Sequence, residues 1–443
     1  MPAPARLETS DRIWRPIRLA LLAIFVLCTS ASPAPHSAAA GADQRLGAAI
    51  DAYTRPLIEA HHLSGQLLVA RRGQILVERE FGFADWELRA PVTPDTRFNI
   101  ASVTKPMTIT LAIQLMAEHA FGLKDSIARW FPDFPKGNRI TVEMLLQHSS
   151  GIPHELVPDS EATRPMTAAA MVEIAKHRQL DFEPGSKSSY SSGGFSVLTR
   201  ILEIAGGKSY GELLEARIFG PLGMTSSSDH DSRVLLPGRA RSVVPGPRGL
   251  ENGPYQDFSG IIGAGSVWST ARDLHRFVQG LVTGRLGPGP QRSLAGDKVD
   301  FNGYTAGFRA YCGWDSASGL EVIFVGNEHS GAPDLLRSAI PKLAAGEAVA
   351  APVLPAMRPG AVAEAELRRS TGTFQLGNGT KLELTVHDGA LWANDWVLLP
   401  MADGGFFSPR DYGKVHVVRA ADGTIERLDW EQRGEVYPAP RVK

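Results

Sequence analysis

Ser102 and Lys105 stand three residues apart in the tetrapeptide Ser102-Val103-Thr104-Lys105. Apolar residues recur at helical spacing from Lys105 to Ala120, which predicts that a buried helix begins here. On a helix, residues i and i+3 share a face, so the lysine amine can lie against the serine oxygen. A neutral lysine in a dry cleft can accept the serine proton, and the helix N-terminus stabilises the negative charge that develops. The pair therefore predicts Ser102 as a nucleophile in acyl transfer and Lys105 as its proton acceptor.

An S-x-x-K motif can also be a helix-capping serine followed by a solvated lysine. Four further segments favour the interpretation of Ser102 as a nucleophile. The nucleophile segment itself reads F-N-I-A-S-V-T-K over Phe98–Lys105. The others are L-L-Q-H-S-S-G-I-P over Leu145–Pro153, Phe182-Glu183-Pro184-Gly185 leading to Tyr190-Ser191-Ser192, Pro221-Leu222-Gly223-Met224, and Gly263-Ala264-Gly265 before Ser269-Thr270-Ala271. In order and spacing, over residues 45–345, they resemble class C β-lactamases, DD-peptidases and related esterases.

The resemblance implies both a fold and roles for particular residues. The fold is α+β, a β-lactamase/transpeptidase-like domain in which an antiparallel sheet is flanked by a helical region. Ser102 would attack the substrate carbonyl and become acylated, Lys105 would take its proton, and Tyr190 would be a partner in proton transfer. The backbone N–H groups of Ser102 and Tyr304 would form the oxyanion hole. His148 is expected to pack and to form hydrogen bonds rather than to catalyse.

Two positions depart from the family pattern. Ser192 stands where the family usually has an asparagine, whose amide can contact both the lysine and the substrate. A serine is shorter and offers one hydroxyl, so some contact is lost or passed to water, or the change is a tolerated variant in a working enzyme. The second departure concerns the third motif, usually H-T-G or K-T-G on a strand beside the nucleophile.

Two registers compete for this third motif. His329-Ser330-Gly331 matches literally, but a helix predicted over Ala332–Leu343 follows at once and leaves no room for the two strands that normally intervene. Residues 300–308 (D-F-N-G-Y-T-A-G-F) match the family's spacing, Gly319–Val325 supplies a later strand, and we favour this register. The predicted substrate-binding residues are then Ser192, Phe301, Asn302, Gly303 and Tyr304. Phenylalanine thus stands where a cation or an imidazole usually contacts a substrate carboxylate.

The patterns around these motifs predict one large α+β domain and one small β domain. Alternation over Ser64–Glu80, on both sides of Arg72-Gly73, predicts a β-hairpin. Helices are expected over 141–147, 167–177 (with Thr167 as N-cap), 195–205, 210–218 and 270–281. Strands therefore flank a long helical middle, and the sheet joins both ends of the segment. We assign residues 41–346 to the hydrolase domain, 347–364 to a linker and 365–443 to the small domain.

The small domain is predicted from Asp-Gly turns at 388–389, 403–404 and 422–423, each between β-like runs. Turns spaced in this way are typical of an antiparallel sheet or a small barrel. The segment resembles the lipocalin-like β domain that follows the catalytic domain in some members of the family. It could cover the cleft, join copies of the chain into a homo-oligomer, or be a passive stabilising appendage.

Residues 1–40 have the pattern of a secretory signal peptide. Three arginines (Arg12, Arg15 and Arg18) precede the apolar run 19–28, and small residues follow up to Ala40. The apolar run is too short to span a bilayer, so an exported protein, periplasmic or extracellular, is predicted over an uncleaved anchor. A lipoprotein is disfavoured because bulky Leu27 precedes Cys28. Removal of the signal leaves Cys312 alone, which excludes an intrachain disulfide.

Composition adds little beyond excluding some partners. The chain has 443 residues, 43% of them hydrophobic and 21% charged, and its formal net charge of −1 gives no reason to expect nucleic acid. No residue spacing predicts a metal, and no cofactor is expected. The leading hypothesis is a serine hydrolase that acts through a Ser102 acyl-enzyme on an ester, amide or short peptide. True β-lactamase activity is disfavoured because Phe301 cannot pair with a carboxylate. The alternative is a degenerate, non-catalytic binding module on the same scaffold.

Overall fold

The structure, a computed structural model, describes residues 35–158, 161–229, 231–305, 307–360, 362–421 and 423–442, with side chains from residue 41 onward. The basic and apolar parts of the predicted signal peptide lie outside the described residues, and a helix begins within its last residues, at Pro35. Among the described residues, no helix is both long and apolar enough to cross a membrane.

The secondary structure is dense in both predicted domains. The helices are α1 Pro35–Glu59, α2 Thr104–Ala117, α3 Val142–Leu146, α4 Ala168–Lys176, α5 Ser192–Gly206, α6 Tyr210–Leu214, α7 Gly220–Leu222, α8 Ala271–Val282, α9 Pro288–Pro290, α10 Ala332–Ala344 and α11 Glu364–Arg368. The strands up to the end of the hydrolase domain are β1 Gly65–Arg71, β2 Gln74–Phe81, β3 Phe83–Asp85, β4 Ala90–Pro91, β5 Phe98–Asn99, β6 Ser228–Asp229, β7 Val243–Gly246, β8 Gly249–Asn252, β9 Val267–Ser269, β10 Lys298–Thr305, β11 Phe308–Asp315 and β12 Leu320–Gly326. The remaining strands are β13 Gly372–Gln375, β14 Lys381–His387, β15 Ala390–Ala393, β16 Trp396–Pro400, β17 Phe406–Ser408, β18 Gly413–Arg419, β19 Ile425–Gln432 and β20 Glu435–Pro440.

The central sheet of the hydrolase domain has five strands in the order β10-β11-β12-β1-β2, and every neighbouring pair is antiparallel. The two N-terminal strands form the predicted hairpin, which turns at Arg72-Gly73. Strand β1 then pairs with β12, so the sheet joins both ends of the domain as predicted. Strand β10 is left at the edge.

Helices pack on both faces of this sheet, which explains why β1 is buried almost throughout. Leu68 and Ala70 face a core shared with α2, α5 and α8, whereas Leu67 and Val69 face a second core shared with α1 and α10. A strand covered on both faces shows a continuous apolar run rather than alternation. The predicted α+β class, with an antiparallel sheet flanked by helices, is confirmed.

The predicted helices of the middle region are all present. Thr167 caps α4 as expected, since its Oγ1 accepts a hydrogen bond from the backbone N–H of Ala170 at 3.1 Å. The helix predicted over 210–218 is α-helical only to Leu214 and continues as a π-helical turn over Glu215–Phe219. Helix α7 follows directly and ends at Gly223, which has the left-handed conformation.

The C-terminal segment forms an eight-stranded antiparallel sheet in the order β13 to β20. A bridge between Phe374 and Arg441 brings its first strand back to its end, so the sheet is a nearly closed barrel. Its interior is a separate apolar core that runs from Leu367 on α11 to Ala439 on β20. Residues from Asp43 onward belong to one compact unit, and the predicted bounds at 346 and 364 stay predictions.

The barrel contacts the hydrolase domain through the turn 409–412 between β17 and β18. The backbone N–H of Gly331 donates to the carbonyl of Pro409 at 2.9 Å, and His62 Nδ1 lies 2.8 Å from the Tyr412 hydroxyl. A Cβ on Gly331 would lie 2.9 Å from the backbone oxygen of Arg410, so the two segments meet with no room for a side chain. This contact fixes the turn 409–412 against residues 329–331.

Candidate active site

A strained turn presents Ser102 at the start of α2. Asn99, on the short strand β5, holds this turn: its Nδ2 donates to the Gly265 carbonyl at 2.9 Å, and its Oδ1 accepts from the Ala101 N–H at 3.0 Å. Ala101 has φ +48°, a conformation that costs a residue with a Cβ free energy. Surrounding contacts must therefore impose it, as happens at sites where a side chain has to be presented in one direction.

Lys105 lies one turn further along the same face, and its side chain is buried, 5% exposed. Its Nζ is 3.3 Å from Ser102 Oγ, 3.3 Å from Ser192 Oγ and 3.0 Å from the Ala264 carbonyl oxygen. Burial lowers the pKa of Lys105 to about 7, because the ammonium form loses its hydration. A substantial fraction of the side chain is therefore a neutral amine near pH 7, the form that can take a proton from Ser102.

Tyr190 completes the group around the serine. Its hydroxyl donates a hydrogen bond of 2.8 Å to Ser102 Oγ, and Lys105 Nζ lies 4.6 Å from the centre of its ring. Burial raises the pKa of Tyr190, so the phenol stays protonated at neutral pH. The structure thus brings together all three residues predicted to be catalytic.

Two histidines flank the Tyr190 ring, at centroid distances of 4.7 Å for His148 and 5.4 Å for His154. The Nδ1 atom of His148 accepts from the Ser191 N–H, and that of His154 accepts from the Ser192 N–H. Burial lowers the pKa of His148 to about 4, so this imidazole is neutral. It packs and accepts a hydrogen bond, as expected, whereas His154 was not foreseen because no motif contains it.

Ser192 begins α5 and points its hydroxyl at Lys105. The serine therefore makes the lysine contact that the family's asparagine usually makes. A contact between Ser192 and a substrate stays a prediction.

The edge strand β10 runs beside the nucleophile turn, and Gly303 is the point of closest approach. A Cβ at this position would lie 2.7 Å from the Ile100 carbonyl oxygen and 2.8 Å from the Ser102 nitrogen. Only glycine fits there, as the register over residues 300–308 requires. His329, from the rejected register, follows β12 and lies on no strand.

Of the four strand residues predicted to bind substrate, three line the cleft and one does not. Asn302, Gly303 and Tyr304 belong to the described lining. Phe301 instead packs against the hydrophobic core and pairs across the sheet with Cys312, which is fully buried. Its ring shares the face of β10 that carries Gly303. A substrate contact by Phe301 stays a prediction.

The cleft above Ser102 has a volume of about 880 Å³, and several of its walls were not foreseen. The hairpin β7–β8 contributes Val244 and Glu251, and the barrel contributes Trp396 and Arg410. The aromatic spacing of Trp392 and Trp396 was a visible signal, but nothing local in the sequence says that this part of the barrel faces the serine. No group of three or more metal-ligating side chains suited to a metal ion occurs among the described residues.

A serine and a lysine one helical turn apart, a tyrosine on the serine oxygen, and a glycine-bearing edge strand beside them define a serine-nucleophile site on a β-lactamase-like fold. The model of the Beta-lactamase family matches residues 48–335, well over half of the chain. The chain therefore belongs to this family of serine hydrolases.

Curated relatives match about half of the chain. Penicillin-binding protein 4* of Bacillus subtilis (strain 168) is 31% identical over 241 residues, which cover 50% of this chain and 53% of the relative. Teichoic acid D-alanine hydrolase of Staphylococcus aureus (strain MRSA252) is 26% identical over 215 residues, 48% of this chain and 53% of the relative. The chain spans about half the length of these curated relatives.

Solved structures show the same fold. D-amino acid amidase from Ochrobactrum anthropi SV3 matches with a TM-score of 0.61 and 22% identity, over 69% of this chain and 99% of the amidase. At this identity the likeness shows the fold alone. This likeness confirms the predicted β-lactamase/transpeptidase-like fold, whereas the family is confirmed by the match of the family model.

Proposed function

We propose that the protein is a serine hydrolase that cleaves an ester, amide or short peptide through an acyl-enzyme on Ser102. The observation that carries the proposal is the position of Ser102 Oγ, 3.3 Å from the amine of Lys105 and 2.8 Å from the hydroxyl of Tyr190. A nucleophile, a base and a second proton carrier within hydrogen-bond reach are what this chemistry needs.

The first step forms a bond between Ser102 Oγ and the substrate carbonyl carbon, while the serine proton passes to Lys105. The backbone N–H groups of Ser102 and Tyr304 stabilise the oxyanion, and the close approach at Gly303 supports this role. Collapse of the tetrahedral intermediate breaks the bond to the leaving group, which takes the proton through Tyr190. Water then attacks the acyl-enzyme by the same route in reverse and releases the acid.

The substrate class follows from the residues and from the relatives. Esterase or peptidase activity is favoured over true β-lactamase activity, because Phe301 offers no charge or hydrogen bond to the carboxylate that β-lactams carry close to the scissile amide. The relatives' names, a teichoic acid D-alanine hydrolase and a D-amino acid amidase, support ester and amide substrates. Export by the signal peptide and assembly through the barrel remain parts of this proposal.

A degenerate binding module on the same scaffold is the second candidate, and the observation in its favour is the apolar packing of Phe301. A module that only binds would not need the strained Ala101, the buried Lys105 and the Tyr190 hydrogen bond together, so we favour the hydrolase.

The decisive experiment is labelling with a fluorophosphonate, followed by intact-mass measurement. One mass increment is expected in the wild type and in Ser338→Ala, an exposed-serine control, and none in Ser102→Ala. Lys105→Ala should slow hydrolysis of an activated ester by at least about a hundredfold, the scale of losing a general base. Lys124→Ala, on the surface, is the matched control. Equal labelling of the wild type and Ser102→Ala would overturn the proposal.

A further inference from the structure

Arg410, on the barrel turn that contacts the hydrolase domain, reaches into the wall of the cleft. Its guanidinium carbon lies 4.1 Å from the centre of the Trp396 ring. Both of its hydrogen bonds to Asp395, at 3.1 and 3.3 Å, use the same nitrogen, Nη1. The stacking and the pair hold the guanidinium plane in one orientation. Among the described residues, Nε and Nη2 form no other hydrogen bond.

His329 lines the same cleft, and its ring lies 6.1 Å from that of Tyr304. Within the part of the chain that the structure describes, its buried Nε2 atom has no hydrogen-bond partner. Burial, together with the nearby charges of Arg410 and Arg309, lowers the pKa of His329 to about 3, so the ring is neutral at physiological pH. A buried polar atom without a partner costs free energy, which a ligand atom would recover.

The two side chains come from different domains but are held side by side. The backbone of residues 329–331 contacts the turn 409–412 through the Gly331–Pro409 hydrogen bond. The guanidinium of Arg309 lies 5.4 Å from the centre of the Tyr304 ring, and both Tyr304 and Arg410 line the cleft. Arg309 is already paired with Asp334. Of these two arginines, Arg410 is the one that belongs to the described lining of the cleft.

We propose that Arg410 and His329 form a carboxylate-binding subsite beside Tyr304, and that it selects substrates whose acyl chain ends in a free carboxylate. A ligand carboxylate would accept from Nε and Nη2 of Arg410 as a bidentate pair. His329 would donate from Nε2. Asp395 is 78% exposed, so its pair with Arg410 is weak and orients the guanidinium without saturating it. The subsite rests on the proposed function and gives it a substrate class.

Three carboxylates, Glu155, Glu251 and Asp395, also line the cleft, so selection of a substrate cation is the competing outcome. Three p-nitrophenyl esters with acyl chains of similar length separate the outcomes. They are the monoester of adipic acid, its methyl ester as the neutral match, and the ester of 6-aminohexanoic acid. The measured quantity is kcat/KM for each ester with the full-length protein.

We expect the wild type to prefer the adipate monoester over its methyl ester by at least about tenfold, the scale of one charge-assisted bidentate contact. Arg410→Gln should bring this ratio close to one, and His329→Phe should lower it. Arg427→Gln removes a partly exposed barrel arginine paired with Asp429 and should keep the ratio. Melting temperatures of the four proteins check that each variant is folded.

Binding without chemistry is measured on the Ser102→Ala protein by titration with monomethyl adipate. Weaker binding to the double variant with Arg410→Gln supports the subsite even if no ester is turned over, a result that would count against the proposed function alone. Hydrolysis of the esters with no preference for the carboxylate, or with a preference for the ammonium, would contradict the proposed subsite. So would a carboxylate preference that Arg410→Gln leaves intact. In each of these cases the proposed hydrolase function would still be supported.

Discussion

The amine of Lys105 and the hydroxyl of Ser102 lie 3.3 Å apart on one face of a helix start, and the amine is almost entirely removed from water. An exposed lysine at the same distance would be an ammonium at neutral pH and could not accept a proton. Burial lowers the pKa of Lys105 to about 7, so in the proposed mechanism the amine beside Ser102 can act as the base.

The first prediction concerns pH. Because burial lowers the pKa of Lys105 to about 7, its neutral form increases as the pH rises through that value. We expect kcat/KM for an activated ester to rise with pH, from about a tenth of its plateau at about pH 6, and to level off above about pH 8. Lys105→Arg, which stays charged, should lose activity across the range, whereas Lys124→Arg should retain the wild-type profile. A rate independent of pH between about 5 and 9 would exclude Lys105 as the base.

The second prediction concerns the close packing of Gly303 on β10 against the turn that carries Ser102. Gly303→Ala would place a Cβ 2.8 Å from the Ser102 nitrogen, so β10 must move away from the nucleophile turn. We expect kcat to fall by about a hundredfold or more with little change in the melting temperature, because one oxyanion donor is displaced. Gly377→Ala is the control, since no atom lies within 4 Å of a Cβ at that position. Full activity of Gly303→Ala would show that the strand is not held against Ser102.

The third prediction concerns Phe301. A β-lactam carboxylate left without a partner costs about 1–3 kcal/mol, so the wild type should turn over short p-nitrophenyl esters and hydrolyse nitrocefin very weakly. Phe301→His should raise β-lactam acylation more than ester hydrolysis, and Phe301→Leu, which keeps an apolar side chain, should raise neither. Efficient nitrocefin turnover by the wild type would show that another residue already binds that carboxylate.

The fourth prediction concerns the barrel. The hydrolase domain and the barrel have separate apolar cores, so removal of residues 361–443 should leave a soluble domain with a cooperative melt. The truncated protein should still be labelled at Ser102. Loss of the cooperative melt would mean that the contacts of Tyr412 and Phe407 with His62 are part of one shared core.

The structural features that were predicted most accurately are those that depend on a few residues adjacent in the sequence. The hairpin at Arg72-Gly73, the cap at Thr167 and the turn at Asp388-Gly389 each rest on a few consecutive residues, and the structure confirms all three. The central group of Ser102, Lys105 and Tyr190 was also predictable, because the family motifs carry it.

The far walls of the cleft could not be predicted in the same way. Tyr412, whose contact with His62 fixes the barrel turn, lies 350 residues away along the chain. No periodicity in the sequence encodes such a contact. The sequence around Arg410 and Trp396 therefore does not indicate that these residues face Ser102. His329 entered the sequence analysis only as part of the rejected register of the third motif.

The nearly closed barrel keeps its own apolar interior and contributes to the cleft through the β15–β16 hairpin and the turn 409–412. Turns on a closed scaffold tolerate changes in length and composition that a nucleophile segment does not. In a lineage of such proteins, the reaction and the choice of substrate can therefore evolve separately. A descendant could acquire a new substrate specificity through a few substitutions near Arg410 while its catalytic residues stay the same.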